Sequence, residues 1–149
     1  MRIALFTLAG AAIAGAVIGV APTLAPSVLR PSYSDTISDC RITDGDTIRC
    51  GVERIRLLGI DAPEMSGHCR EGRICAEGDP YASAASLGEA MTGELRIGRV
   101  DTDHYGRTLA IVSGAHGDLS CWQLAHKQAE YVARWDNGLR VARLCPSLT

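Results

Sequence analysis

Acidic residues cluster at two predicted turns of this sequence. Asp44 and Asp46 flank Gly45 in "TDGDTI", and Asp61 and Glu64 directly follow the apolar stretch "RIRLLGI". Asp-Gly is a strong hairpin signal that needs only one acid, so Asp46 is an extra carboxylate at this turn. Carboxylate oxygens on loops are the ligands that hard cations such as Ca²⁺ and Mg²⁺ prefer. The two segments together therefore predict a metal site.

Two arginines occur in other predicted strands and turns. Arg56 is inside the apolar third strand, and Arg107 is at the turn that enters the fifth strand. A buried arginine needs a carboxylate or a phosphate as its partner. A cation and two arginines can stabilise negative charge on a phosphodiester, while one further carboxylate orients or deprotonates a water molecule. The alternative is that Asp44 only makes a turn and Arg56 only makes an ion pair.

The N-terminal segment differs in composition from the rest of the chain. Residues 1–21 contain an unbroken apolar run after Arg2, which predicts a signal peptide or a membrane anchor. Residues 22–33 are rich in Pro and Ser and predict a tether, and residues 34–149 are expected to form the folded domain. We therefore expect an exported protein, periplasmic or extracellular, and the alternative to cleavage is that residues 1–21 stay as a membrane anchor.

The predicted domain is acidic. The chain has 15 Lys and Arg and 17 Asp and Glu; Arg2 and Arg30 precede the domain and no acid does, so the domain has 13 bases and 17 acids, a balance of −4. A general basic surface for nucleic acid is therefore missing. Any phosphate binding must come from locally placed arginines or from a metal ion.

Six cysteines follow the apolar segment, and an even number behind an export signal predicts disulfides. A hairpin turn centred on Gly45 places the first two opposite each other on adjacent strands. The middle two bracket one short loop, and the last two remain to join a helix to the C-terminus. The predicted bonds are Cys40–Cys50, Cys69–Cys75 and Cys121–Cys145. A zinc site of His68, Cys69 and Cys75 is the competing interpretation.

The hydrophobic pattern predicts strands and helices in a definite order. Strands are expected at 36–43, 47–51, 52–60, 94–100 and 108–114. A helix at 79–93 has Asp79 as its cap, and a second helix begins at Ser120, whose capping box would include Gln123. This order predicts an α+β fold that is mainly β, a five-stranded Greek-key barrel of the OB type with about two helices. A split β/α sandwich is the alternative.

Three motifs together resemble the staphylococcal nuclease (thermonuclease) family. They are "TDGDTI", "RIRLLGIDAPE" and "DTDHYGRTLAIV", in this order and spacing, and the resemblance covers about residues 36–132. It implies an OB-type barrel and a Ca²⁺-dependent phosphodiesterase. Such an enzyme acts on DNA and RNA, preferably single-stranded or unstructured, and leaves 3′-phosphates.

The resemblance also implies a metal-binding set. Asp46 and Asp61 match carboxylate ligands of Ca²⁺. Ala62 stands where the family often has Thr and would contribute its backbone carbonyl. Asp44 matches an acid near the metal that does not bind it directly.

The remaining carried-over residues have roles in catalysis and substrate binding. Glu64 matches the proposed general base, Arg56 the arginine that binds the reacting phosphate, and Arg107 the arginine that stabilises the transition state. Tyr105 matches a tyrosine that contacts a terminal phosphate. His104 stands beside it where the best-known member has Lys, which weakens this contact at neutral pH.

The sequence after Val132 departs from the family, so the aromatic residue that would stack on a base is not defined by the resemblance. Tyr131 and Trp135 are candidates, although each is favoured as a core residue. The competing functions are a catalytically silent OB-fold module of the cell envelope that binds oligonucleotides, and a disulfide-linked envelope protein with a structural calcium site. No protein partner is predicted, and the chain is expected to be a monomer.

Overall fold

A computed structural model describes residues 32–149, so the predicted segment 1–21 and residues 22–31 of the predicted tether lie outside the described residues. The described chain has an α+β fold, in which a curled mixed sheet forms a half-barrel accompanied by three α-helices. The predicted fold class is confirmed. Across residues 32–149, no helix is both long enough and apolar enough to cross a membrane.

The described residues form nine short strands, more than the five expected, and three α-helices, against about two expected. The strands are β1 (Asp35–Ile37), β2 (Cys40–Ile42), β3 (Thr47–Cys50), β4 (Glu53–Leu57), β5 (Ile60–Asp61), β6 (Leu95–Thr102), β7 (Thr108–Gly114), β8 (Gly117–Asp118) and β9 (Glu130–Tyr131). The helices are α1 (Pro80–Ala90), α2 (Leu119–Ala125) and α3 (Arg140–Leu144), with 3₁₀ turns at Ala133–Trp135 and Pro146–Leu148.

The main sheet has the strand order β1-β6-β7-β4-β3-β2, and β8 pairs with β7. Strands β4 and β7 are parallel, whereas the other neighbours are antiparallel. The single strand expected at 36–43 is interrupted at Asp39, which has a left-handed φ of 53°. As a result β1 and β2, consecutive in the chain, lie at opposite ends of the strand order, and the sheet must curl to accommodate them.

The hairpin of β2 and β3 has the predicted register. Cys40 pairs with Cys50, and Arg41 pairs with Arg49, so the turn is centred on Gly45 as expected. Because side chains alternate along a strand, Ile48 and its neighbours at even positions face the core, and the arginines face outward.

The caps of the two longer helices test the predicted boundaries. Asp79 caps α1 and accepts hydrogen bonds from the first amides of the helix, which confirms that prediction. The predicted capping box of α2 is wrong, because α2 begins one residue earlier and Asp118 caps it. The Ser120 hydroxyl instead donates to the Leu58 carbonyl at 2.9 Å.

All three predicted disulfides are present, and no cysteine among residues 32–149 is free. The first joins β2 to β3, the second closes the loop between β5 and α1, and the third ties α2 to the residue after α3. The competing zinc site is wrong, because Cys69 and Cys75 are bonded to each other.

Candidate functional site

The turn at Gly45 is clamped against both longer helices. A Cβ atom at Gly45 would lie 1.9 Å from the Ser83 hydroxyl oxygen and 2.8 Å from the Ala62 Cβ, so no larger residue fits. The buried Gln123 side chain donates from Nε2 to the Gly45 carbonyl at 2.7 Å and to the Ser83 carbonyl at 2.9 Å. Gln123 therefore holds the turn in place, a role that the expected capping box did not predict.

Asp46 leaves this turn and is buried. Its carboxylate accepts from Arg56 Nη1 at 2.6 Å, from the Thr47 hydroxyl at 2.9 Å and from the Ala62 amide at 3.1 Å. Asp44 accepts from the Asp46 amide at 3.1 Å and so holds the turn from outside. Burial raises the pKa of Asp46, while the charge of Arg56 opposes this shift and favours the ionised carboxylate.

Arg56 connects Asp46 to the second predicted metal ligand. Its Nη2 donates to Asp61 Oδ1 at 3.4 Å and to the Ile60 carbonyl at 3.2 Å. All three charged residues are buried. A buried arginine needs a carboxylate partner, and Arg56 has two, because Asp46 and Asp61 both contact its guanidinium group.

Arg73 is the residue that sequence reasoning missed. It lies on the loop closed by Cys69–Cys75, and its Nη2 donates to both Asp61 oxygens, at 2.6 and 2.7 Å. Its Nη1 donates to Glu64 at 3.0 Å. The hydrogen bond to Asp61 raises the pKa of Arg73 above its ordinary value. The sequence feature that could have predicted this contact is the short disulfide loop with two arginines, Arg70 and Arg73, soon after Asp61 and Glu64.

A cavity of about 760 Å³ opens over these residues. Its charged lining comprises five arginines and three acids: Arg54, Arg56, Arg70, Arg73, Arg107, Glu64, Glu71 and Asp103. Asp46 and Asp61 are not in the lining and lie behind Arg56 and Arg73. The cavity is thus locally basic in a domain of balance −4, which makes it suited to an anionic ligand.

The turn into β7 contributes the opposite wall. Arg107 Nε donates to Asp103 at 2.8 Å, and the Arg107 amide donates to the same carboxylate at 2.9 Å. Burial would raise the pKa of Asp103, but these hydrogen bonds outweigh it and hold the pKa below its ordinary value. The Tyr105 ring centroid lies 5.5 Å from the Arg107 guanidinium carbon and 3.6 Å from the His104 ring centroid. Both rings line the cavity.

Trp135 also lines the cavity, so the preference for a core position is wrong for this residue. The guanidinium carbons of Arg56, Arg73 and Arg134 lie 5.0, 5.3 and 5.1 Å from its ring centroid. Tyr131 instead packs against the hydrophobic core. The 3₁₀ turn at 133–135 places Trp135 here, in the part of the sequence without a family resemblance.

The predicted metal-binding residues lie around Asp46 and Asp61. Among residues 32–149, no group of three or more His, Cys, Asp or Glu side chains could hold a metal ion. The predicted set has two such side chains, Asp46 and Asp61, with the Ala62 carbonyl. Its donors are all oxygens, which is the chemistry that Ca²⁺ prefers, and water or phosphate oxygens would have to complete the six to eight ligands. Calcium binding stays a prediction.

No protein-family model matches this sequence, and no curated protein matches it. The resemblance to staphylococcal nucleases therefore stays a prediction from the three motifs.

Proposed function

We propose that this protein is an exported, Ca²⁺-dependent nuclease of the staphylococcal nuclease type, which hydrolyses DNA and RNA and leaves 3′-phosphates. One observation carries the proposal: Arg56 bridges Asp46 and Asp61 at the base of an arginine-lined cavity. Glu64 and Arg107 line the same cavity. A nucleotide phosphate would enter between the guanidinium groups of Arg56 and Arg107, which both line this cavity.

The arginines supply the phosphate-binding chemistry. A guanidinium can donate two parallel hydrogen bonds to phosphate oxygens, and its charge persists at every physiological pH. Arg56 would bind the reacting phosphate, and Arg107 would stabilise the charge that develops during displacement. Both side chains are held by carboxylates, Arg56 by Asp46 and Arg107 by Asp103, so their positions are set before substrate arrives.

The acids would hold the cation and activate water. Asp46, Asp61 and the Ala62 carbonyl would bind Ca²⁺, which when bound supplies Lewis-acid stabilisation of the phosphoryl oxygens. Arg73 must first leave Asp61 and Glu64, because its side chain occupies both. Glu64 would then accept a proton from the attacking water, whose oxygen bonds to phosphorus as the bond to the 5′ oxygen breaks.

Aromatic residues of the cavity would position the nucleotide. Trp135 presents a half-buried ring on which a base can stack, a contact worth about 1–3 kcal/mol per base in proteins that bind single strands. Tyr105 and His104 would contact a terminal phosphate. The three disulfides support an exported protein, because such bonds persist in oxidising compartments.

The test measures cleavage by the full, oxidised chain. A fluorescent single-stranded DNA and an RNA of the same sequence are incubated with Ca²⁺ or with a chelator, and the product ends are examined for 3′-phosphate. Cleavage that needs Ca²⁺ and falls roughly 10²–10⁴-fold in Glu64→Gln is expected. Glu71→Gln is the matched control, because Glu71 lines the same cavity but makes no ion pair among the described residues. Cleavage that the chelator leaves unchanged contradicts the proposal.

One observation favours the silent oligonucleotide-binding module instead. Asp61 is ion-paired with both Arg56 and Arg73, so the arginine-lined cavity can accept an anion without rearrangement. Tight binding of single-stranded DNA without cleavage, under every divalent cation tried, would establish that function.

A further inference from the structure

Three arginines form a row across adjacent strands, and one end of this row reaches the cavity. Arg41 on β2 pairs with Arg49 on β3, and Arg49 pairs with Arg54 on β4. Residues directly opposite each other share one face of a sheet, with Cβ atoms about 4.5–5.5 Å apart. We call Arg41, Arg49 and Arg54 the arginine row; its side chains lie on the outer face, because Ile48 and Ile55 occupy the core.

The fold itself gives no reason for this row. Like charges directly opposite each other destabilise a sheet, and none of the three arginines forms an ion pair within the described chain. Arg99, by comparison, is paired with both Asp35 and Glu53. An acidic domain that leaves three neighbouring arginines without carboxylates presents them to an external anion.

The row is continuous with the cavity. Arg54 lines the cavity, and Arg56 follows it on the same face of β4. From β4 across β3 to β2, at a strand spacing of about 4.8 Å, the row extends roughly 10 Å. Since each guanidinium can pair with one phosphate, a row of this length can contact about two successive phosphates of a single strand.

We propose that the arginine row binds the phosphate backbone of a single-stranded nucleic acid whose reacting phosphate lies in the cavity. The inference rests on the proposed function and deepens it, because it makes the strand beyond the cleaved bond part of what the protein recognises. Guanidinium groups that contact phosphates do not read bases, so this binding is independent of sequence. An anionic membrane is the less favoured partner, because the row is one residue wide and leads into the cavity.

The test uses Arg41→Gln with Arg49→Gln, both outside the cavity, in the full chain. A Glu64→Gln background keeps the probe intact, and fluorescence polarisation gives Kd for labelled deoxyoligonucleotides of two and about twelve nucleotides. Kd for the longer strand should rise about five- to tenfold, and the slope of log Kd against log salt should fall by about 1.4. Kd for the dinucleotide should change less than about twofold, since it lies within the cavity.

The matched control is Arg96→Gln with Arg143→Gln, which removes the same charge from exposed positions outside the cavity. Equal weakening by control and test variants overturns the inference, since it would show a general charge effect. Thermal unfolding of both variants checks the fold, and the test variant should be at least as stable as its parent because a like-charge pair is lost.

The outcomes separate this inference from the proposed nuclease. Row-dependent binding without cleavage by the parent chain supports the row and overturns the enzyme. Cleavage by the parent chain, with oligonucleotide binding unchanged in the row variant, supports the enzyme and overturns the row. Absence of oligonucleotide binding overturns both proposals. Co-sedimentation with vesicles of equal parts phosphatidylcholine and phosphatidylglycerol, lost in the row variant while oligonucleotide binding stays unchanged, overturns the inference in favour of a membrane surface.

Discussion

Two pairs of buried aspartates in this domain are satisfied by different kinds of donor. Asp46 and Asp61 accept hydrogen bonds from arginines at the base of the cavity, and Arg56 is shared between them. Asp118 and Asp136 accept from backbone amides and tyrosine hydroxyls and form no ion pair in the described chain.

The second pair, Asp118 and Asp136, stabilises the starts of helices α2 and α3. Asp118 caps α2 and accepts from the Tyr33 hydroxyl at 3.1 Å. Asp136 accepts from two amides of α3, at 3.0 and 2.9 Å, and from the Tyr131 hydroxyl at 3.0 Å. Amide donors at a helix start cannot leave without unwinding the helix, so these contacts are permanent.

The first pair is bound by arginine side chains. Asp46 and Asp61 share Arg56, which is buried on β4, and Asp61 also accepts from Arg73, whose guanidinium comes from a loop. Arg73 is half-buried and comes from a disulfide loop, so its movement needs no change in the sheet. Buried acids paired with arginines thus mark the candidate site, and buried acids paired with amides mark the framework.

The largest expected effect comes from Asp61→Asn compared with Asp136→Asn. Asp61→Asn removes a predicted metal ligand and should lower the rate of DNA cleavage by about 10²-fold or more, as losses of single charge-stabilising groups do. Asp136→Asn should keep the rate but lower the free energy of unfolding by about 1–3 kcal/mol, because its amide group turns a donor toward the N–H groups of α3. Cleavage assays and urea unfolding measure the two effects. Equal loss of activity in both variants would contradict the assignment of Asp61 to the site and of Asp136 to the framework.

The next effect concerns the pH dependence of stability. Burial raises the pKa of Asp118 from 3.8 to about 6, with the nearby Asp136 charge acting in the same direction. The folded state therefore binds this proton more tightly than the unfolded state, so stability is greatest below about pH 4, falls as pH rises to about 6, and is level above. Asp46 contributes a fall in the same window.

Asp118→Asn should remove the Asp118 part of this fall, on the order of 2 kcal/mol, while keeping a capping side chain. Urea unfolding between pH 4 and 7 measures it as a difference from wild type, so that other titrating groups cancel. An identical pH dependence in the two proteins would show that Asp118 is not the group responsible.

The smallest expected effect tests whether Arg73 competes with a metal ion for Asp61 and Glu64. Arg73→Gln removes the cation that occupies Asp61 and Glu64, so Ca²⁺ should bind about tenfold more tightly, as expected if the Arg73-bound form makes up about nine tenths of the protein. Titration calorimetry measures Kd. Arg70→Gln is the control, because Arg70 lies on the same loop and contacts Tyr105 rather than the acids. Unchanged affinity in Arg73→Gln would mean that this arginine does not compete with the metal.

Local signals predicted the framework well. The Asp-Gly turn set the register of β2 and β3, and that register gave the Cys40–Cys50 bond. Asp79 and Pro80 located the start of α1. The α2 cap was assigned wrongly because two polar residues at capping spacing stood beside Asp118, and tertiary partners in the turn and α1 took the Gln123 side chain.

The sequence by itself determined what depends on neighbours along the chain: turn positions, strand alternation, helix caps, and the residue types that a cation and a phosphate require. Only the tertiary structure decided which arginine meets which acid. The loop from 62 to 79 has no hydrophobic period, so its path depends on the surfaces around it and on the Cys69–Cys75 bond. That path brings Arg73 onto Asp61, and the curl of the sheet brings Arg54, Arg56 and Arg107 to one cavity.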